Sequence, residues 1–334
     1  MPPPRIAGSV LDAIGNTPVV RLSRLDAELD RKIFVKLELL NPGGSHKIRI
    51  ALNMILDAER SGELTRGSGQ TIIESTGGNT GIGLAMTSAI LGYRLVLVIP
   101  DNYSLSKQQL LRNYGAEVVL SDHRLGNNSH AELALTMLFD NPDWVMLNQQ
   151  ANPANPEIHE RTTAQEILTA FGGQIPDAMV AGVGTGGHLT GVGRVLKEHN
   201  RAMRIAAVLP EGCSLRENRF VTHGVQGLAV GLVPSVLDLN LIDEEICVRY
   251  TDAVEMMRRL MRTEGLAVGI SSAANIVATC RWAEQLGNGA CILTFAYDGV
   301  LDYLDAFNDR PGSPDDAVAP DGTGARVGHE ALYR

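Results

Sequence analysis

The sequence predicts an α/β protein of two doubly wound domains with mostly parallel sheets. Three observations predict it. Short apolar runs alternate with helical patterns along most of the chain. Glycine-bearing loops follow apolar runs and precede helical patterns, which is the strand–loop–helix order of a parallel sheet. An Asn- and Pro-rich stretch, Gln149–Pro156, interrupts the alternation near the middle of the chain. The 334 residues suit two domains at roughly 150 residues each. The expected division is an N-terminal domain over 1–150, a C-terminal domain over 151–308, and a flexible tail over 309–334. That tail is rich in Pro, Gly and Asp and has no apolar period.

In chain order, the expected strands are Ile33–Leu37, Thr71–Glu74, Leu95–Ile99, Glu117–Leu120, Trp144–Leu147, Ala178–Val183, Ile205–Leu209 and Ile292–Ala296. Each is a short apolar run of strand length. Between them, helical periodicity covers Ile48–Arg60, Gly81–Leu91, Ser106–Tyr114, Asn128–Phe139, Glu157–Phe171, Leu189–His199, Ala253–Thr263 and Ser272–Gln285. The QANPANP stretch is expected to continue neither a helix nor a strand.

Composition narrows the function. With 29 Lys plus Arg against 38 Asp plus Glu, the net charge is −9, and no basic block stands out. Nucleic-acid and anionic-membrane partners are therefore not expected. The N-terminus lacks the charged and apolar regions of a signal peptide, and no apolar stretch approaches the ~18 residues that span a bilayer. A cytoplasmic protein is the expectation. Cys213, Cys247, Cys280 and Cys291 form no C-x-x-C pair and read as four buried thiols. The eight His show no metal-ligand spacing, so no metal is expected.

Three loops carry the chemistry. In Asn41-Pro-Gly-Gly-Ser-His-Lys47, a turn leads straight into a helix and places Lys47 in its first turn. A positive charge there opposes the helix macrodipole, at a cost relieved if the amine is neutral or chemically engaged. In Glu74-Ser-Thr-Gly-Gly-Asn-Thr-Gly81, free backbone N–H groups and the side chains of Thr76, Asn79 and Thr80 suit a carboxylate or a phosphate. The third, Gly182-Val-Gly-Thr-Gly-Gly187, satisfies G-x-G-x-x-G after an apolar strand. It reads equally as a dinucleotide fingerprint or as a monophosphate cup.

Taken together, NPGGSHKIR, STGGNTG, QQANPANPEIH, GTGGH and GISSA occur in order between residue 10 and about residue 305. In these motifs the chain resembles the PLP-dependent family of cysteine synthases, cystathionine β-synthases, serine/threonine dehydratases and tryptophan synthase β chains, and most of all the O-acetylserine sulfhydrylases. The resemblance implies a tryptophan synthase β-like fold with pyridoxal 5′-phosphate between the two domains, and a homodimer. It implies that Lys47 is the catalytic residue and forms the Schiff base with the cofactor. It further implies that Asn79 bonds the ring hydroxyl, and that Gly184, Thr185, Gly186 and Gly187, with His188 at the family's last Thr, cradle the phosphate. Asp298 and Gly299 would lie at the pyridine nitrogen. Ser75, Thr76, Gly77, Asn79 and Thr80, with Gln149, would hold the substrate carboxylate in a mobile subdomain.

The implied reaction is β-replacement on an O-acyl-L-serine, as the acetyl ester, through an aminoacrylate, with sulfide as the default nucleophile and L-cysteine as product. A nitrogen or larger nucleophile, serine/threonine β-elimination and a nicotinamide oxidoreductase remain alternatives.

Several positions depart from the family pattern. Gly77 replaces the Ser of T-S-G-N, which removes a hydroxyl and is expected to open space. Gln150 stands where sulfide enzymes usually carry Phe or Tyr. Gly299 falls at the Ser that meets the pyridine nitrogen. Either Thr294 or water fills that role, or Asp298 reaches the nitrogen; otherwise Asp298 caps the following helix. His46 is expected either to select substrate or simply to pack.

Overall fold

The computed structural model describes residues 6–125 and 128–308, so the expected tail over 309–334 lies outside the described residues. Ten strands are found among the described residues: β1 (Val19–Arg21), β2 (Lys32–Leu37), β3 (Thr71–Glu74), β4 (Arg94–Pro100), β5 (Glu117–Ser121), β6 (Val145–Met146), β7 (Ala178–Gly182), β8 (Arg204–Pro210), β9 (Glu244–Val248) and β10 (Cys291–Ala296). The helices are α1 (Ser23–Leu29), α2 (Lys47–Ser61), α3 (Asn79–Leu91), α4 (Leu105–Asn113), α5 (Ser129–Asp140), α6 (Ala154–Ile158), α7 (Ala164–Ala170), α8 (Gly187–His199), α9 (Tyr250–Thr263) and α10 (Ile270–Ala283). All eight expected strands and all eight expected helices are present, within a few residues at each end. The sequence pattern did not show β1, α1 and β9.

The described chain divides into two compact units. One comprises 6–15 and 41–158, the other 16–40 and 159–308. A single cut near residue 150 does not produce this division, for two reasons. Residues 16–40 carry β1 and β2, and β2 pairs in parallel with β10, so the segment belongs to the second unit's sheet. The Asn- and Pro-rich stretch is also not a linker. It runs into α6, then a π-helical turn over His159–Thr163, then α7. Pro156 is tolerated there because it lies in the first turn of α6, where its missing N–H has no intrahelical partner.

The first unit holds a four-stranded parallel sheet in the order β5-β4-β3-β6. Alternate residues of β3 and β4 face opposite sides. Ile72, Leu95 and Leu97 pack with Met54 and Ile55 of α2 and Leu84 of α3. Ile73, Val96 and Val98 pack with Ala134 of α5. The second unit holds a six-stranded sheet, β1-β2-β10-β7-β8-β9, parallel except for β1. One face packs on α9 and α10 through Val180, Val208, Met257 and Trp282, the other on α8 through Met179, Ala207, Val192 and Leu196. Each fully buried Val, Leu, Ile or Met among them contributes about 1.5–3 kcal/mol, so both faces of each sheet are strongly specified.

The four cysteines are all free thiols, but only Cys213 is buried. Cys280 and Cys291 are half-buried and Cys247 is exposed, on a solvent-facing position of edge strand β9, which corrects the expectation of four buried thiols. Among the described residues, no helix is long and apolar enough to cross a membrane.

Candidate active site

In the first unit, Lys47 opens α2 immediately after the Pro42–Gly44 turn. The turn is fixed by Gly15 N–H, which donates to Asn41 Oδ1 at 2.8 Å, and by Gly44 N–H, which donates to Asn41 O at 2.9 Å. Lys47 is half-buried, and its Nζ lies 2.6 Å from Nε2 of the buried His46. No acidic side chain occupies the first turn of α2, so nothing on the helix itself offsets the lysine's conflict with the dipole. His46 therefore does more than pack: its imidazole shares a hydrogen bond with the amine.

Helix α3 sits directly against this end of α2. A Cβ on Gly83 would lie 3.2 Å from the Lys47 carbonyl oxygen and 3.0 Å from Ala51 Cβ. The close approach seats the Ser75–Gly78 loop, which leads into α3, on the same structure that carries Lys47. At Gly81 a Cβ would lie 2.7 Å from the Thr76 carbonyl oxygen, so the loop closes only with glycine there. No side chain caps α3. Its first N–H groups, with the hydroxyls of Thr76 and Thr80, form a donor set suited to a carboxylate.

Gln149 closes this arrangement. Thr80 Oγ1 donates to Gln149 Oε1 at 2.7 Å, and Asn155 Nδ2 donates to the Gln149 carbonyl at 2.7 Å. Beside it, Asn148 takes a left-handed conformation (φ 51°) and donates its N–H to Glu74 Oε2 at 2.9 Å. Glu74 ends β3 and is 4% exposed. Burial pushes its carboxyl up to about 7, against the pull of the Asn148 and Ser75 N–H groups. The sequence reading missed both Glu74 and Asn148; an acidic residue ending an otherwise apolar strand was the available signal.

The expected space at Gly77 is not there. A Cβ at that position would lie 2.8 Å from Ile99 Cγ2 and 3.0 Å from Tyr103 Cε1. The room vacated by the family's Ser is filled by Ile99 of β4 and by the Tyr103 ring, from the connection between β4 and α4.

In the second unit, β7 runs into the Val183–Gly186 turn and then α8. The turn admits no side chain at its glycines. A Cβ on Gly184 would overlap the Gly227 carbonyl oxygen, and one on Gly186 would lie 2.7 Å from Leu237 Cβ. Gly186 also has φ +79°, which disfavours any other residue. Ala229 N–H donates to Val183 O at 2.8 Å and pins the turn from outside. No side chain caps α8, so its N-terminal N–H groups form a nest for an anion. The His188 ring packs on Phe295 (4.3 Å between centroids), His159 (4.8 Å) and Tyr297 (5.2 Å). Its contribution to the cup is therefore its backbone N–H.

Asp298 follows β10 and is 3% exposed. Its Oδ2 accepts from Tyr303 Oη at 2.6 Å, and Ser272 Oγ lies 3.5 Å from Oδ1. It does not cap the following helical turn, whose N-cap is Gly299 without a side-chain bond. Thr294 Oγ1 donates to Val180 O inside the sheet at 2.9 Å. Gly299 offers no side chain, and a Cβ there would meet nothing within 4 Å.

These features fit pyridoxal phosphate. A Cβ-free cradle on an uncapped helix N-terminus suits a phosphate, and a half-buried lysine amine suits an aldehyde. Comparison with known proteins agrees. The model of the family "Pyridoxal-phosphate dependent enzyme" matches residues 10–298. The chain is 41% identical over 300 residues to O-ureido-L-serine synthase of Streptomyces lavendulae, covering 90% of this chain and 91% of the relative. It is 42% identical over 297 residues to cysteine synthase of Staphylococcus aureus, covering 89% and 95%. The solved structure of O-acetyl serine sulfhydrylase isoform 3 from Entamoeba histolytica superposes with a TM-score of 0.87 at 33% identity, over 95% of this chain and 96% of that one. The chain belongs to the pyridoxal-phosphate dependent enzyme family. Within it, it is a cysteine synthase-like enzyme with the tryptophan synthase β-like fold, and its cofactor is pyridoxal phosphate.

Proposed function

We propose that the chain catalyses β-replacement on an O-acyl-L-serine, with the acetyl ester as first substrate and sulfide as the default nucleophile, giving L-cysteine. The observation that carries this reading is the first unit's assembly: a lysine amine at the start of α2, packed against a loop of carboxylate donors closed by Gln149. When bound, pyridoxal phosphate supplies the electron sink that acidifies the amino acid's Cα–H. The Val183–Gly187 nest and the α8 N-terminus hold the phosphate, and Asn79 bonds the ring hydroxyl. Ser75, Thr76, Asn79, Thr80 and Gln149 fix the substrate carboxylate, which orients Cα. Lys47 Nζ would hold the cofactor and would serve as the base that takes the Cα proton. Overall the acyloxy group would leave Cβ as a carboxylate, the nucleophile would take its place, and the proton held on Lys47 Nζ would return to Cα.

A second reading keeps the first half of this reaction and replaces sulfide with a nitrogen or larger nucleophile. It is favoured by the polar Gln150 and by the 41% identity to O-ureido-L-serine synthase.

The test incubates the holoenzyme with O-acetyl-L-serine and, separately, sulfide, thiosulfate, ammonia and glutamate, reading product mass in each case. Cysteine formation at least tenfold faster than any other product supports sulfide, whereas amine products alone establish the second reading. Release of acetate from none of the mixtures overturns both. Lys47→Ala is expected to lose at least a thousandfold in turnover and to remove the borohydride-reducible cofactor–peptide adduct.

A further inference from the structure

We propose that Tyr103 is a specificity-determining residue, whose phenol hydroxyl serves the substrate carboxylate in place of the hydroxyl missing at Gly77. This rests on reading the Ser75–Thr80 loop as the carboxylate site.

The ring lies along the loop with an edge toward Gly77 and its hydroxyl toward Gly78. Tyr103 Cε1 and Cζ are 3.0 and 3.2 Å from the point a Gly77 Cβ would occupy, and Oη is 3.5 Å from the corresponding point on Gly78. The hydroxyl therefore stands beside the backbone of the loop that otherwise carries it on a Ser. A Ser at 77 would collide with the ring and also with Ile99 Cγ2, 2.8 Å from its Cβ position. Gly77 and Tyr103 form a linked pair: one position gives up its side chain and the other fills the space.

Tyr103 is also held in place. Its N–H donates to Pro100 O at 3.1 Å, and its carbonyl accepts from Nε2 of Gln108 (2% exposed) at 2.9 Å. The next residue, Ser104, caps α4 by accepting from Lys107 N–H at 3.3 Å. A phenol on a pinned connection loses little freedom when it binds. Lys107 Nζ, 5.8 Å from the ring centroid, adds positive charge on the same side chain's face. A hydroxyl in that setting is suited to donating to an anionic oxygen, where the bond is charge-assisted.

The test measures the holoenzyme's dissociation constants for L-serine and for ethanolamine, which lacks the carboxylate, together with kcat and KM for O-acetyl-L-serine. Tyr103→Phe is expected to weaken L-serine binding and raise KM about tenfold, with ethanolamine binding and kcat within twofold of wild type. Gly77→Ser alone is expected to weaken L-serine as well, through the collision. Wild-type L-serine binding by Tyr103→Phe, which removes the hydroxyl and keeps the ring, overturns the proposal. Thr76→Ala separates the two levels. If it weakens L-serine while Tyr103→Phe does not, only the tyrosine's role fails. If neither weakens it, the reading of the loop fails too.

Discussion

The loop before α3 and the turn before α8 use the same device, a parallel strand feeding glycines into an uncapped helix N-terminus. They differ in which groups line them. The Val183–Gly187 turn is backbone almost throughout, with Gly184 blocked by a neighbouring carbonyl and Gly186 by Leu237. The Ser75–Thr80 loop relies on side chains: Thr80 on Gln149, Glu74 beneath, Tyr103 alongside. A backbone cradle suits a group that never changes, because no substitution can retune it without breaking it. A side-chain cradle can be adjusted one residue at a time, which suits the part of the molecule that chooses among substrates.

If the comparison holds, the turn must be the more brittle of the two. Gly184→Ala places a Cβ on the Gly227 carbonyl oxygen, and backbone cannot move aside cheaply. Overpacking of this kind costs about 1–3 kcal/mol, and the displaced turn is expected to weaken pyridoxal phosphate binding at least a hundredfold in an absorbance titration. An alanine variant that binds within threefold of wild type would break the contrast.

The next largest effect lies under the loop. Glu74 is raised from 4.5 to about 7, so between those values the folded chain holds a proton that the unfolded chain releases. Its stabilising contribution is fully present below about pH 4.5 and is lost as pH rises through about 7, a span worth about 3 kcal/mol. Glu74→Gln keeps an acceptor for Asn148 N–H and removes the titration. Denaturant unfolding is expected to favour wild type over the variant by up to about 3 kcal/mol more at pH 4.5 than at pH 8. A constant difference across that range would remove Glu74 from the loop's electrostatics.

The smallest effect is at Thr80. Thr80→Val loses the bond to Gln149, worth about 1 kcal/mol. It is expected to raise KM for the amino-acid substrate about fivefold with little change in melting temperature.

What was legible in the sequence follows the same division. Apolar runs and glycine loops are local signals, so the eight strands, the eight helices and the three loops were readable. Val19–Arg21 is too short to show a period, and the Glu pair that opens Glu244–Val248 disguises its strand. Residues 33–37 read as a strand, but nothing local says that their partner is β10, near the other end of the described chain. Nor does KIFVKL reveal that Lys36 is fully buried, donating to Thr17 O and lying 2.8 Å from Glu166; a buried ammonium is stable only with such partners. In the candidate site, Lys47 and Gly184–Gly187 stand out in the sequence because the turns that carry them are local signals. The approach of Tyr103 does not, because the space inferred from Gly77 is filled by Ile99 and Tyr103, which come from a different part of the chain.

The placement of β10 also bears on how the chain is made. Emerging from the ribosome, 41–158 has all four strands of its sheet in hand once residue 146 is out. The larger sheet does not: its β2 and β7 are both synthesised long before the strand that must slide in between them. Until then two open edges stand unpaired, so from residue 182 until β10 begins at residue 291 the nascent protein is vulnerable to mispairing at one sheet while the other already has all its strands.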